Sequence, residues 1–231
     1  MNINQYEDKI NKKFLPLFKA KEEILVSVGG AASGKTISVF QKAILDAINI
    51  PEYKCLVVKK GKAGVSKVST WPSLLMAAEI LGVKGQFDTN IIPLTIQAGN
   101  NIIDCMEYKT FSDIRNYLNC RRVGCVIFNH VIVEDAHTLT EAEFAVLFAG
   151  RNLRQITLVL NPILDKDEKS WIKAKLYNQA SYFGNSVFTV HSTYKDNEFL
   201  DENHKSSLDN MGSLNTGYES VYKFGDWAAI N

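Results

Sequence analysis

The segment GGAASGKT at residues 29–36 carries residue types that bind the phosphate groups of a nucleotide. It fits the pattern G-x-x-x-x-G-K-[ST], in which glycines let backbone N–H groups approach phosphates without Cβ clashes. We expect Lys35 to face the β- and γ-phosphates of ATP and the Thr36 hydroxyl to coordinate Mg²⁺. The residues predicted to contact the nucleotide are Gly29, Gly30, Ala31, Ala32, Ser33, Gly34, Lys35 and Thr36. A chance Gly-rich turn is the alternative, and the apolar run before the segment and the amphipathic stretch after it argue against that.

Two adjacent carboxylates follow another apolar run, in the sequence VIVED at residues 131–135. Hydrolysis at a phosphate loop needs one acidic group beside the metal and one that orients or deprotonates the attacking water. We assign the metal to Glu134 and the water to Asp135. An acidic strand end that only caps the next helix is the alternative, but a further strand between the loop and this pair favours catalysis.

A polar residue, Asn161, follows the apolar run at residues 156–160. Ligands of open α/β sheets lie beyond the carboxyl ends of the strands, so Asn161 is placed to contact the γ-phosphate. The dipeptide Asn161-Pro162 is equally typical of an ordinary turn, and both interpretations stay open.

The phosphate loop contains no arginine, although an arginine finger commonly adds about 10³ to 10⁵ to the rate of phosphoryl transfer. The five arginines of the chain are Arg115, Arg121, Arg122, Arg151 and Arg154. Arg151 and Arg154 lie between the acidic pair and the next apolar run, so we expect one of them near the catalytic edge, acting in trans on a neighbouring subunit. Arg115 is the next candidate, and Arg121-Arg122 is interpreted as a solvated pair.

Five short runs rich in Val, Ile and Leu predict the strands that carry these residues. The runs are continuous rather than alternating, which is typical of strands covered on both faces. Helical stretches separate them, the clearest at residues 36–50, so the predicted fold class is α/β, with a mainly parallel sheet flanked by helices. Residues 93–97 and 101–106 flank Gly99-Asn100 and predict a small antiparallel hairpin inserted in this core. The five runs are residues 24–28, 55–58, 131–133, 156–160 and 187–190.

The N-terminal residues predict a helix at 4–21 that is interrupted at Pro16. Its Phe14, Leu15 and Leu17 either line the adenine pocket or belong to the core.

Thr140 and Glu143 form a capping box that opens another helix. We divide the chain into an N-terminal helical segment at 1–21, an ATPase core at 22–195 and a tail at 196–231 that packs on the core.

Composition excludes several classes of protein. The chain of 231 residues is 46% hydrophobic, so it can bury a large core, and its formal charge is only +1. Any DNA contact must therefore come from a local patch, for which the basic stretch at 59–67 is the candidate and a solvated loop the alternative. Four cysteines without C-x-x-C spacing indicate reduced thiols, and four scattered histidines give no zinc pattern. No apolar run approaches the roughly 20 residues of a membrane helix.

Together these residues resemble the ATPase domain of the large terminase subunit of tailed bacteriophages. The resemblance runs from about Phe14 to Trp227. The phosphate loop is common to many NTPases, but the combination of N-P at 161–162, H-S-T-Y-x-D-N from His191 and a closing G-D-W is much narrower.

The resemblance implies a RecA-like sheet of the ASCE class and ATP hydrolysis coupled to translocation of double-stranded DNA into a procapsid. It implies a ring of subunits on the portal protein, a monomer in isolation, and a small terminase subunit as partner. The expected location is the cytoplasm of the infected host, transiently at the procapsid portal, with absence from the mature virion. The family's nuclease domain would begin where this chain stops, so we expect no nuclease activity.

Two departures from the family pattern stand out. Many members carry an arginine inside the phosphate loop, where this chain has Gly30-Ala31-Ala32, and the usual acidic pair is Asp-Glu or Glu-Glu rather than Glu134-Asp135. Since Asp is one methylene shorter than Glu, we expect a slower water-orienting step or a site that closes further.

Two other functions fit the motifs. A helicase-like DNA motor usually has a second RecA-like domain, for which 231 residues leave no room. A nucleotide-dependent assembly module would bind ATP without needing turnover, and the paired carboxylates favour turnover.

Overall fold

The computed structural model describes residues 3–61, 70–91, 94–123, 126–148, 153–210 and 216–230. The strands are β1 Ile24–Gly29, β2 Lys54–Lys60, β3 Asp88–Ile91, β4 Leu94–Ala98, β5 Asn101–Tyr108, β6 His130–Glu134, β7 Gln155–Leu160, β8 Ile163–Leu164, β9 Ser181–Tyr182, β10 Asn185–Ser192 and β11 Ala228–Ala229. The helices are α1 Leu15–Lys19, α2 Lys35–Asn49, α3 Thr70–Leu81, α4 Phe111–Val123, α5 Glu141–Phe148, α6 Trp171–Lys175, α7 Glu202–Asp209 and α8 Thr216–Tyr218, the last continuing into a π-helical turn at Glu219–Phe224.

A nine-stranded sheet forms the centre of the molecule, in the order β3-β4-β5-β2-β6-β7-β1-β10-β9. All five predicted apolar runs are strands of this sheet. They are adjacent to one another, in the order β2-β6-β7-β1-β10, and each pairs parallel with the next. The predicted α/β class with a mainly parallel sheet is therefore confirmed. Strand β7 lies between β1 and β6, so the chain that leaves β7 emerges between the ends of those two strands.

The predicted hairpin is confirmed, since β4 and β5 pair antiparallel around Gly99. Gly99 has a φ of 58°, which glycine adopts without steric cost. The sequence did not indicate β3, which pairs antiparallel with β4, or that β5 runs parallel to β2. The hairpin thus extends one edge of the main sheet.

Hydrophobic side chains fill both faces of the sheet, as continuous apolar strands require. One face is covered by α1, α2 and α3, with Phe40 of α2 and Leu74 of α3 fully buried. The other is covered by α4, α5 and α6, with Ile114 of α4 and Phe144 of α5 fully buried. Helix α5 begins at the predicted capping box, where the Glu143 N–H donates to Thr140 Oγ1 at 3.2 Å and the Thr140 N–H donates to Glu143 Oε2 at 2.8 Å.

The N-terminal segment differs from the predicted interrupted helix at 4–21. It forms two 3₁₀ turns, Ile3–Lys9 and Lys12–Phe14, and Pro16 stands in the first turn of α1 rather than breaking a helix. Proline is tolerated there because its missing N–H would have no helical partner. Phe14 and Leu17 are fully buried in the core, so the core interpretation holds for both of them.

Two cysteines of the core, Cys55 and Cys105, are buried free thiols. Across the described ranges, none of the helices is long and apolar enough to cross a membrane.

Buried hydrogen bonds link His130, the first residue of β6, to Thr157 in β7 and to Tyr53 just before β2. His130 Nδ1 lies 2.6 Å from Tyr53 Oη, and His130 Nε2 lies 2.9 Å from Thr157 Oγ1. Burial lowers the pKa of His130 well below its usual value of 6.5, and the charges of Lys42 and Arg154 act in the same direction. The ring is therefore neutral in the folded protein.

This burial predicts a loss of stability in mild acid. Unfolding exposes a ring that takes up a proton near pH 6.5, so the unfolded state binds more protons than the folded state below that pH. The free energy of unfolding should fall by up to about 1.4 kcal/mol per pH unit from pH 6.5 downward. Urea denaturation at pH 7.5, 6.5 and 5.5 measures it. His130→Asn should flatten the profile and His204→Ala, at an exposed ring, should not; equal slopes in all three proteins would contradict the assignment.

Candidate nucleotide-binding site

The predicted phosphate loop leaves the carboxyl end of β1 and enters α2. Gly34 has a φ of 86°, in the left-handed region that glycine adopts without strain, and α2 begins at the next residue. The backbone N–H groups of Gly34, Lys35 and Thr36 have no hydrogen-bond acceptor among the residues that the structure describes. They stand at the positive end of the helix, which is the arrangement that binds phosphate.

Hydrogen bonds from distant parts of the chain fix the rest of the loop. The Gly30 N–H donates to the Ser192 carbonyl at 3.1 Å, and the Ala31 N–H donates to the Tyr222 carbonyl at 2.7 Å. A Cβ on Gly30 would lie 2.5 Å from the Tyr222 oxygen, so only glycine permits this approach. The π-helical turn is thus seated directly against the phosphate loop.

Two asparagines hold the carbonyl groups of the loop. Asn197 Nδ2 donates to the Ala32 carbonyl at 2.8 Å, and Asn11 Nδ2 donates to the Ser33 carbonyl at 3.3 Å. The N–H groups of Gly30 and Ala31 already donate within the chain, so those of Gly34, Lys35 and Thr36 are the ones that can face a ligand. Asn11 was missed in the sequence because only folding brings it to the loop; Asn197 lies in the tail that we predicted to pack on the core.

Lys35 is partly buried in the loop, where its Nζ donates to the Gly30 carbonyl at 2.8 Å. Burial lowers the pKa of Lys35 to about 8, while the charges of Asp135 and Glu134 oppose that change. The amine is mostly protonated at pH 7, so it can meet phosphate oxygens as a cation.

The carboxylate pair ends β6, two strands away from β1. Glu134 is buried and accepts a hydrogen bond from Thr70 Oγ1 at 2.6 Å. Asp135 has a φ of 52°, and this left-handed turn gives it a side chain 39% exposed against 11% for Glu134. The hydrogen bond from Thr70 fixes the Glu134 carboxylate, as a metal ligand requires. The exposed Asp135 carboxylate can contact water, so both positions are compatible with the roles that we assigned.

A lysine joins this pair unexpectedly. Lys59 is the second-last residue of β2 and lies opposite Glu134 of β6, with its Nζ 2.9 Å from Asp135 Oδ2 and 3.8 Å from Glu134 Oε2. Burial acts to lower the pKa of Lys59, but the hydrogen bond to Asp135 and the charge of Glu134 outweigh it and raise the pKa. Lys60 is likewise paired, at 3.2 Å from Glu143 Oε1.

The first two lysines of the basic stretch at 59–67, for which DNA contact and a solvated loop were the two interpretations, are paired with carboxylates of this chain. DNA contact by this stretch stays a prediction. Residues 62–69 lie outside the described residues. In the sequence, Lys59 lies near the end of a predicted strand. This position places it beside the acidic pair only because β2 lies next to β6.

Asn161 directly follows β7 and so emerges between the loop after β1 and the carboxylates after β6. Its Oδ1 is buried and has no partner in the described part of the chain. Pro162 and the next two residues pair with the end of the chain, where the Ala228 N–H donates to the Pro162 carbonyl at 3.2 Å and β11 lies parallel to β8.

The donor set fits Mg²⁺ bound through a nucleotide. Magnesium takes oxygen ligands and keeps phosphates and waters in most positions, so one or two protein oxygens suffice. The Thr36 hydroxyl and the Glu134 carboxylate would supply them. Among the described residues no cluster of three or more acidic, His or Cys side chains offers a site without a nucleotide.

Comparison with known proteins gives the family. A family model described as phage terminase large subunit matches residues 21–225, most of the chain. The chain belongs to this family. A search of curated proteins found no match to this terminase chain.

Solved terminase structures share its fold. The large terminase of a thermophilic bacteriophage has a TM-score of 0.67 at 14% identity, over 95% of this chain and 54% of that one. The ADP complex of the same phage protein gives a TM-score of 0.66 at 15% identity over the same shares. The ATPase domain of the Thermus phage P74-26 large terminase gives 0.63 at 10% identity, over 98% of this chain and 97% of that one. This terminase chain thus spans about half the length of the thermophilic phage protein that was named first.

Two arginines, Arg154 and Arg121, do not lie where the sequence analysis placed them. Arg154 immediately precedes β7, where its N–H donates to the Asn129 carbonyl at 2.7 Å, so it lies at the amino edge of the sheet, opposite the phosphate loop. The expectation that Arg154 stands near the catalytic edge is wrong, because β7 itself separates the two edges. Arg151 lies outside the described residues. Arg121 is not a solvated residue: its Nε lies 2.7 Å from the buried carboxylate of Asp104.

Proposed function

We propose that this chain hydrolyses ATP to ADP and phosphate, and that hydrolysis drives double-stranded DNA into a procapsid. One observation carries the enzymatic part: the phosphate loop, Asn161 and the carboxylate pair end three adjacent strands, β1, β7 and β6, at one edge of the sheet. Membership of the terminase family supports the packaging part.

Each residue has a defined task in the proposed reaction. The N–H groups of Gly34, Lys35 and Thr36 bind the phosphates, and Lys35 Nζ compensates the charge that develops on the γ-phosphate oxygens. Thr36 and Glu134 would hold Mg²⁺, which when bound neutralises charge on the β- and γ-phosphates. Asp135 accepts a proton from the attacking water, and Asn161 donates to the γ-phosphate through its amide. Before it can act as a base, Asp135 must leave its ion pair with Lys59.

The assembly that we propose follows the family. The chain acts in a homo-oligomeric ring on the portal protein, with a small terminase subunit as partner, and is a monomer in isolation. Because its own loop holds no arginine, a neighbour must supply one, and Arg151 remains the proposed trans residue. Turnover by the isolated chain should then be slow.

Phosphate release with and without DNA tests this function. We expect slow basal turnover that rises with protein concentration and rises several-fold with linear double-stranded DNA but not with single-stranded DNA. Equal stimulation by both DNAs would favour a helicase-like motor. Nucleotide-dependent oligomers that form without phosphate release would instead favour an assembly module and contradict the proposal.

A further inference from the structure

His137 lies three residues after Glu134, in the 3₁₀ turn Ala136–Thr138 that packs against β7. Hydrogen bonds from the Thr138 N–H to the Asp135 carbonyl and from the Leu139 N–H to the Ala136 carbonyl, both 3.0 Å, hold this turn in place. The backbone of His137 is therefore fixed relative to the catalytic carboxylates. None of the roles proposed above uses its side chain.

The Nδ1 atom of His137 is buried and has no hydrogen-bond partner among the described residues. Buried polar atoms of proteins nearly always have a partner, so this one needs an explanation. The other three histidines are all engaged: His130 with Tyr53 and Thr157, His191 with the Gly225 carbonyl at 2.7 Å, and His204 with Asp201 at 2.5 Å.

Other side chains at this edge of the sheet also have a buried polar atom without a hydrogen-bond partner. Three side-chain oxygens in or next to the phosphate loop and β7 are also buried without a partner in the described ranges: Ser33 Oγ in the loop, Asn161 Oδ1 after β7 and Ser192 Oγ at the end of β10. Tyr108 Oη, at the end of β5, is a fourth such atom at this edge, but β5 is four strands away from β1. Unpartnered polar atoms that collect around one loop indicate a site that a polar ligand completes.

The charges around His137 indicate which group of a bound nucleotide its ring would contact. Burial lowers the pKa of its ring, the negative charge of Asp135 opposes this, and the positive charges of Lys35 and Lys59 reinforce it. The ring is thus neutral above pH 7 and lies within the field of Lys35, the cation that faces the β- and γ-phosphates. A neutral ring carries one N–H, and a phosphate oxygen is an acceptor that such a donor binds without bringing a second positive charge next to two lysines.

We propose that His137 is a further nucleotide-binding residue of this site, whose Nδ1–H donates a hydrogen bond to the γ-phosphate of ATP. The inference rests on the proposed function, which puts ATP in this loop. It adds to that function a contact from within the same chain that distinguishes ATP from ADP, in a terminase chain whose phosphate loop has no arginine.

Three variants at one position test the contact. Asn places an amide nitrogen near the position of ring Nδ1, Gln places one near Nε2, and Ala removes both. Affinities for ADP and for the non-hydrolysable analogue AMP-PNP are measured by calorimetry at pH 8 with Mg²⁺. His137→Ala and His137→Gln should weaken AMP-PNP binding by roughly tenfold or more and leave ADP binding within about twofold. His137→Asn should recover most of the loss, and His204→Ala should match the wild type.

The outcomes separate this inference from the proposed function. Equal losses for ADP and AMP-PNP, or a loss in His137→Asn as large as in His137→Ala, would show that the ring only supports the fold, and would overturn the inference. A lower kcat with unchanged AMP-PNP affinity would mean that the ring acts on water instead, which also overturns it. Wild-type protein that binds neither nucleotide would refute the proposed function itself, and the inference with it.

Discussion

Lys35→Ala is expected to abolish measurable ATP hydrolysis and to weaken nucleotide binding. The variant removes a partly buried cation that donates to the Gly30 carbonyl of the phosphate loop and lies in the field of the carboxylate pair. Removal of one such electrostatic group commonly costs about 10² to 10³ in kcat, and the loop has no arginine to share the task. Steady-state phosphate release and calorimetric titration with ATP measure the two effects.

The stability of this variant makes the test specific. Burial disfavours the charged form of Lys35, so its removal should leave the melting temperature unchanged or slightly higher rather than lower. Lys166→Ala, at an exposed loop position, is the matched control and should keep wild-type activity. Wild-type turnover in folded Lys35→Ala would refute the placement of the active site.

The two carboxylate variants should separate metal binding from water activation. Asp135→Asn keeps the shape of the side chain and deletes the base, so ATP and Mg²⁺ should still bind while kcat falls by about 10² to 10⁴. Glu134→Gln changes the buried oxygen that Thr70 already holds, so it should raise the Mg²⁺ concentration needed for half-maximal activity. Magnesium titrations of phosphate release and of nucleotide binding distinguish the two behaviours.

The control for the second experiment is Asp167→Asn, at an exposed loop position. If Glu134→Gln loses turnover at every Mg²⁺ concentration while Asp135→Asn shifts the magnesium requirement, the roles are reversed. The exposure of Asp135 and the burial of Glu134 argue against that reversal.

The sequence was sufficient for those parts of the fold that depend on local pattern. Continuous apolar runs predicted the parallel strands, and the Gly99-Asn100 turn predicted the hairpin, because burial on both faces and a positive φ each leave a local signature. The prediction of one interrupted helix at residues 4–21 was wrong, because its local pattern was misinterpreted. Pro16 was interpreted as an interruption, although a proline in the first turn of a short helix has no cost, and no capping box like that of Thr140 and Glu143 marks where this helix starts.

The candidate site was predictable where it depends on motifs and not where it depends on strand order. Arg154 was assigned to the catalytic edge because of its sequence neighbours, and nothing in the sequence placed Lys59 beside the acidic pair. The position of Lys59 follows only from the adjacency of β2 and β6. Arg154 already precedes the predicted strand at 156–160 in the sequence, so its place at the amino edge could have been predicted. Pairings between residues 130 or more positions apart, such as Asn197 with Ala32, have no signature in one sequence.

The contacts that hold the phosphate loop also determine how short a working fragment of this terminase can be. A fragment trimmed to the predicted core at residues 22–195 would keep every loop residue and both carboxylates. It would lose Asn11, Asn197 and Tyr222, three of the four residues that anchor the loop from outside. The smallest fragment that retains these contacts therefore extends from before Asn11 to beyond Tyr222, and removing either of these two residues changes the nucleotide site.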